Sequence, residues 1–183
     1  MCDRGKITRT PAPPTSLEQK VGEWFDVKCV AEGKKPLAAM DYSNYGRKKI
    51  RHKELVRQII AFANSKGVQV LHMQKEGGMY LKTIFFKPHQ FENAKRLMFL
   101  LWVDHGPGPV FYDYAIGKLL GYSIPNIRYF IERNGHKLTK ELMHHYNIIL
   151  KNTKISMEQL PNVVHYPSIP DPDLSVAKRR PKC

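Results

Sequence analysis

The stretch VQVLHMQKEGGMYLKTIFF, residues 68–86, decides the fold class. Its two arms, Val68–Met73 and Met79–Phe86, are β-prone runs, and Glu76-Gly77-Gly78 joins them with the backbone freedom that a chain reversal requires. The stretch reads as a β-hairpin, and Pro88 ends its second strand. Outward from it the apolar period changes from that of a strand to that of a helix. Upstream, from about Lys48 to Lys66, Leu55, Ile59 and Phe62, with Val56, Ile60 and Ala63 one step round, form the stripe of an amphipathic helix. Gly67 stands where a C-cap glycine stops it. Downstream, Phe91, Ala94, Leu97, Met98, Leu101 and Trp102 trace a second helix with a wide apolar face.

Gly106-Pro107-Gly108-Pro109 then forces a reorientation, because two prolines and two glycines cannot continue a helix. Three helices are predicted beyond it. The first runs from about Val110 to Leu120. The second runs from about Ile124 to Arg133, with Ser123 as N-cap, Pro125 in the first turn and Gly135 beyond the end. The third starts on Thr139 and reaches about Lys151, with Glu141 and Lys151 at the ends that suit the helix dipole. Before the hairpin, the run at Val21–Val30 reads as a short strand or an ordered segment laid across the core. The stretch from Lys34-Lys35-Pro36 to Gly46 reads as irregular. The expectation is an α+β protein, predominantly helical, with one hairpin packed on helices and a C-terminal helical subdomain. Residues 1–20 are expected to be a basic, Pro-rich arm, 21–160 one globular domain, and 161–183 a Pro-rich basic tail.

The chain has 183 residues, and its 30 Lys and Arg against 16 Asp and Glu give a net charge of +14. Solubility does not need so one-sided a charge, whereas phosphate contacts gain affinity from it. Nucleic acid, DNA or RNA, is the expected partner; an anionic membrane surface or an acidic protein also fits the charge. Protein partners could be held through the Pro-rich termini. Cys2, Cys29 and Cys183 form no closely spaced pair and read as free thiols of a reducing compartment. The N-terminus has no apolar leader and Leu97–Val103 is too short to span a bilayer, so an intracellular protein, cytoplasmic or nuclear and not secreted, is expected.

The segment YDYAIGKLLGYSIPNIRYFIER, residues 112–133, resembles the helix-turn-helix motif of DNA-binding regulators. That resemblance rests on Gly117 as the small residue of the first helix, Gly121 at the turn and Ile127 locking the second helix, supported by Ile116, Leu120, Tyr122 and Phe130. It covers about one eighth of the chain, within residues 110–134. The motif implies that Ser123, Asn126 and Arg128 meet base edges while Lys118 and Arg133 reach phosphates. Against it stand the bulk of Tyr122 and a second helix poor in basic residues. A plain helical hairpin fits the same spacing.

Two basic clusters complete the picture. Arg47, Lys48, Lys49, Arg51 and Lys53 lead into the helix that carries Arg57, at a helix start where the dipole opposes positive charge, so a partner anion explains them better than stability does. Tyr42 and Tyr45 lie just upstream, placed to stack on unpaired bases. Lys178, Arg179 and Arg180 form the second, near the C-terminus, suited to a phosphate-seeking arm or a localisation signal. Catalytic chemistry has less support. Glu141 and His144 share a helix face and Asp104-His105 borders the Gly-Pro turn, but no phosphate loop, nucleophile elbow, zinc signature or cofactor motif is present. The reading is a basic nucleic-acid-binding protein without a cofactor; the alternative is a non-enzymatic structural component of a larger particle.

Overall fold

The computed structural model describes residues 16–41, 52–74, 81–102, 108–160 and 162–170. In chain order these form α1 (Ser16–Val21), α2 (Trp24–Ala31), β1 (Leu37–Asp41), α3 (Lys53–Ser65), β2 (Gln69–Gln74) and β3 (Leu81–Phe86). A 3-10 turn at Pro88–Gln90 leads into α4 (Phe91–Trp102), followed by α5 (Pro109–Leu119), α6 (Ile124–Arg133) and α7 (Lys140–Asn152). A second 3-10 turn, Met157–Gln159, precedes β4 (Val163–Tyr166). The fold is α+β and predominantly helical, as the residue pattern predicts.

The hairpin is the centre of an antiparallel sheet of four strands, ordered β1-β3-β2-β4. Val70 stands opposite Phe85 and His72 opposite Thr83 across β2 and β3, while Ala38 faces Phe85 from β1 and Leu71 faces His165 from β4. Ile84, Phe85 and Phe86 are all fully buried, so consecutive residues pointing to opposite faces both find cover. That is why the strand reads as an apolar run and not as an alternation. One face presents Leu37, Leu71, Met73, Ile84 and Phe86 to α4–α7; the other presents Ala38, Met40, Val70 and Phe85 to α1–α3.

Three segments differ from the reading of the sequence. Residues 24–31 are helical: Trp24, Val27, Val30 and Ala31 are buried at intervals of three to four, a helical period that a window of ten residues did not separate from a strand. Residues 37–41 are β1 and not irregular, although Leu-Ala-Ala-Met-Asp has little strand propensity; the free edge of β3 supplies the pairing. Residues 163–170 belong to the folded body. Val163–Tyr166 pairs with β2, and Ile169 enters the core, held by Asn64, whose Oδ1 accepts from its N–H at 2.8 Å and whose Nδ2 donates to its carbonyl at 3.2 Å. Residues 16–20, expected within the N-terminal arm, are helical as part of α1; residues 1–15 of that expected arm lie outside the described residues.

Helix ends follow the local chemistry. Gly67 has φ +70°, and the Val68 N–H reaches the Ala63 carbonyl at 3.0 Å, closing α3. The Ser123 and Thr139 hydroxyls accept from the N–H groups of Asn126 and Leu142, capping α6 and α7. Among the described residues no helix is long and apolar enough to cross a membrane.

Candidate nucleic-acid interface

The pair α5–α6 carries the packing chemistry on which the motif resemblance rests. Gly121 has φ +81°, a conformation that costs any residue with a Cβ, and the Tyr122 N–H bonds the Gly117 carbonyl at 2.9 Å. A Cβ on Gly117 would lie 2.8 Å from Ile127 Cγ1, so glycine lets the helices approach until Ile127 is buried between them. The turn is braced from outside: a Cβ on Gly121 would meet Pro36 Cδ at 2.5 Å, and Lys35 Nζ lies 5.1 Å from the Tyr122 ring centre while bonding Asp26 at 2.7 Å. Inward, the Tyr114 hydroxyl donates to Asn147 at 2.9 Å and ties α5 to α7.

What α6 shows to solvent is less usual. Asn126, Tyr129, Phe130 and Arg133 recur at intervals of three and four and are all exposed, forming one stripe. Tyr129 is 67% exposed, Phe130 52% and Tyr122 45%. Together with Asp113, Ile116, Gly117, Asn126 and Ile127 these rings line a groove of about 450 Å³.

The predicted site residues fall into three groups. Arg47, Lys48, Lys49, Arg51, Lys178, Arg179 and Arg180 lie outside the described residues, as do Tyr42, Tyr45, Asp104 and His105. Lys53 and Arg57 are exposed on α3, far along the chain from the α5–α6 pair and packed on the other face of the sheet. Lys118, Asn126 and Arg133 are exposed on α5 and α6. Ser123 is exposed too, but its hydroxyl is engaged in capping α6. Arg128 lies off the exposed stripe, half-buried, with Nε closed off from water and without a hydrogen-bond partner among the described residues.

As nucleic-acid contacts the sequence reading did not name Lys137, Lys140, Lys154 or Lys151, the last read only as a helix-end charge; all are exposed on or beside α7. With Lys118 and Arg133 they make no ion pair among the described residues. Acids are present on the same helices, yet Glu141 is engaged elsewhere: its own backbone N–H first, and then the Thr139 hydroxyl, hold its carboxyl below the usual range. Lys140 opens α7, at the end where the dipole opposes a cation. At the other end of that helix Arg96 already serves the free carbonyls, donating through Nε to Thr153 O at 2.7 Å and through Nη2 to Lys151 O at 3.4 Å. A signal for these lysines existed in the sequence, since none of them occupies an apolar stripe position, but they are too dispersed to read as a cluster.

Catalytic groups do not converge here. Glu141 and His144 are exposed, and no three His, Cys, Asp or Glu among the described residues form a set that could hold a metal ion. The buried Cys29 thiol is pushed up by desolvation first and by the Asp26 carboxylate second, which disfavours the nucleophilic thiolate. No protein-family model, no curated protein and no solved structure matches the chain.

Proposed function

We propose that the protein binds nucleic acid, chiefly through its phosphate backbone. The observation that carries this reading is the set of exposed cations on α5–α7, Lys118, Arg133, Lys137, Lys140, Lys151 and Lys154, none ion-paired among the described residues. In a chain of net charge +14, none of these side chains is held by an internal ion pair among the described residues, and each is available to replace a counterion on a phosphate. The basic run that ends in Lys53 and the cations at 178–182 add further contacts in the same chemistry. The packing of Gly117, Gly121 and Ile127 supports the helix-turn-helix resemblance, whereas the aromatic stripe of α6 speaks against direct reading of a stacked duplex.

The test is a titration of labelled DNA and RNA oligonucleotides against the full chain at stepped salt concentrations. Affinity is expected to fall linearly in log–log coordinates, with a slope that flattens when Arg47, Lys48, Lys49 and Arg51 are replaced together by Ala. Absence of binding to every oligonucleotide at low salt would sink the proposal. A second reading, a structural component that grips protein neighbours, draws on the exposed Tyr122, Tyr129 and Phe130. It gains if the protein shifts no nucleic acid and co-purifies with one defined protein.

A further inference from the structure

We infer that the groove between α5 and α6 takes unpaired nucleobases, so that the nucleic acid this protein holds is single-stranded; the inference rests on the nucleic-acid reading above and names its partner. Three of the six large hydrophobic side chains exposed among the described residues, Tyr122, Tyr129 and Phe130, line this one groove. Rings left in water lose the gain of burial, and rings gathered at one place mark a contact surface. The floor beneath them is apolar, made by Ile116, Gly117 and Ile127, with Ile127 packed where a Cβ of Gly117 would stand.

The groove is not merely greasy. Asp113 supplies a carboxylate that accepts hydrogen bonds, and Asn126 supplies an amide that donates and accepts, the pairing capacity that amino and carbonyl groups on a base edge require. Arg133 lies one turn beyond Tyr129 and Phe130 on the same exposed face of α6. A strand whose bases enter the groove thus finds positive charge at that end for its phosphates.

A duplex fits these residues poorly. Reading the major groove calls for several polar side chains at the start of the recognition helix, and here the Ser123 hydroxyl caps the helix, Pro125 offers no donor and Arg128 is half-buried, which leaves Asn126. Aromatic faces, by contrast, have no partner in a stacked duplex and accept any unpaired base, because every base has a π-face. The Tyr122 ring is also held in place, with Lys35 over one face.

The experiment compares one mixed-sequence oligonucleotide of about 16 nucleotides, single-stranded and as a duplex, on the full chain and on Tyr129→Ala/Phe130→Ala. Both rings are exposed, so the double variant is expected to melt at the wild-type temperature, and Tyr129→Phe/Phe130→Tyr keeps the stacking faces. The wild type is expected to prefer the single strand. The alanine variant should lose about tenfold or more on it with an unchanged salt slope, because stacking releases no counterions, and the conservative variant should restore binding. Equal affinity for single strand and duplex, or an alanine variant that binds the single strand as well as wild type, overturns the inference while leaving the nucleic-acid reading intact. Loss of self-association in the alanine variant with unchanged oligonucleotide binding also overturns it, in favour of a protein-docking groove. No binding of either oligonucleotide at low salt removes both readings together.

Discussion

The two faces of the sheet end in different surfaces. Behind Ala38, Val70 and Phe85, the helices α1–α3 close over Trp24, which meets the Phe85 ring edge-on at 5.8 Å, and the cations of α2 and of the segment just after it are matched: Lys28 and Lys34 by Glu32, Lys35 by Asp26. Behind Leu71, Ile84 and Phe86, the helices α4–α7 also form a closed core, with Tyr114 and Ile131 fully buried, but their outer surface keeps three exposed rings and six cations with no ion pair among the described residues. Both sides solve the same packing problem. The difference therefore lies outside the core, and it is why the proposed contact is set on the α5–α7 side.

Substitution of aromatic residues gives the largest contrast. Trp24→Ala removes a ring that is 1% exposed and is expected to cost about 3–5 kcal/mol in chemical denaturation. Phe130→Ala is expected to change stability by no more than about 0.5 kcal/mol. A comparable loss at Phe130 would mean that its ring is part of the fold, and the comparison between the two sides would collapse.

The turn between α5 and α6 comes next. Gly121→Ala combines a left-handed backbone, about 1–2 kcal/mol, with a clash against Pro36, so a total of about 2 kcal/mol or more is expected. Gly117→Ala is expected to be milder, because the clash with a movable Ile127 side chain is offset by about 1 kcal/mol of helix propensity. Melting curves of the two variants check the order. The reverse order would show that the brace from Pro36 does not set the turn.

A smaller, pH-dependent effect belongs to the closed side. His72 bonds Thr83 at 2.8 Å on β2, and desolvation lowers its pKa from the ordinary 6.5. Below that value the unfolded chain takes up a proton that the folded chain resists, so stability is complete above about pH 6.5 and is lost as pH falls towards the lowered folded value. His72→Gln should remove this slope from the pH profile of Tm, and an unchanged profile would place the acid sensitivity elsewhere.

The fold was legible where a local pattern sufficed. The hairpin, the 3.6-period stripes of α3 and α4, and the caps at Ser123 and Thr139 each declare themselves within a short window. β1 and β4 do not, because Ala38-Ala39 and a strand followed by prolines become strands only through neighbours distant in the chain. The candidate site was legible in part. Gly117, Gly121 and Ile127 stand out by spacing, and the stripe 126-129-130-133 is visible in the sequence as a period, but only burial shows that it faces outward. Lys137, Lys140 and Lys154 were hidden because their significance lies in lacking acid partners, a property of three-dimensional pairing.

The proposed contact with nucleic acid lies on the α5–α7 side and not on the α1–α2 side. The most direct measurement is the slope of log affinity against log salt for two charge-matched variants: Lys118→Ala with Lys137→Ala, and Lys28→Ala with Lys34→Ala. The first set is expected to flatten the slope on a single strand by about 0.7 per engaged cation, while the second leaves it at the wild-type value. Equal slopes for the two variants, or a flattening confined to the second, would contradict the account.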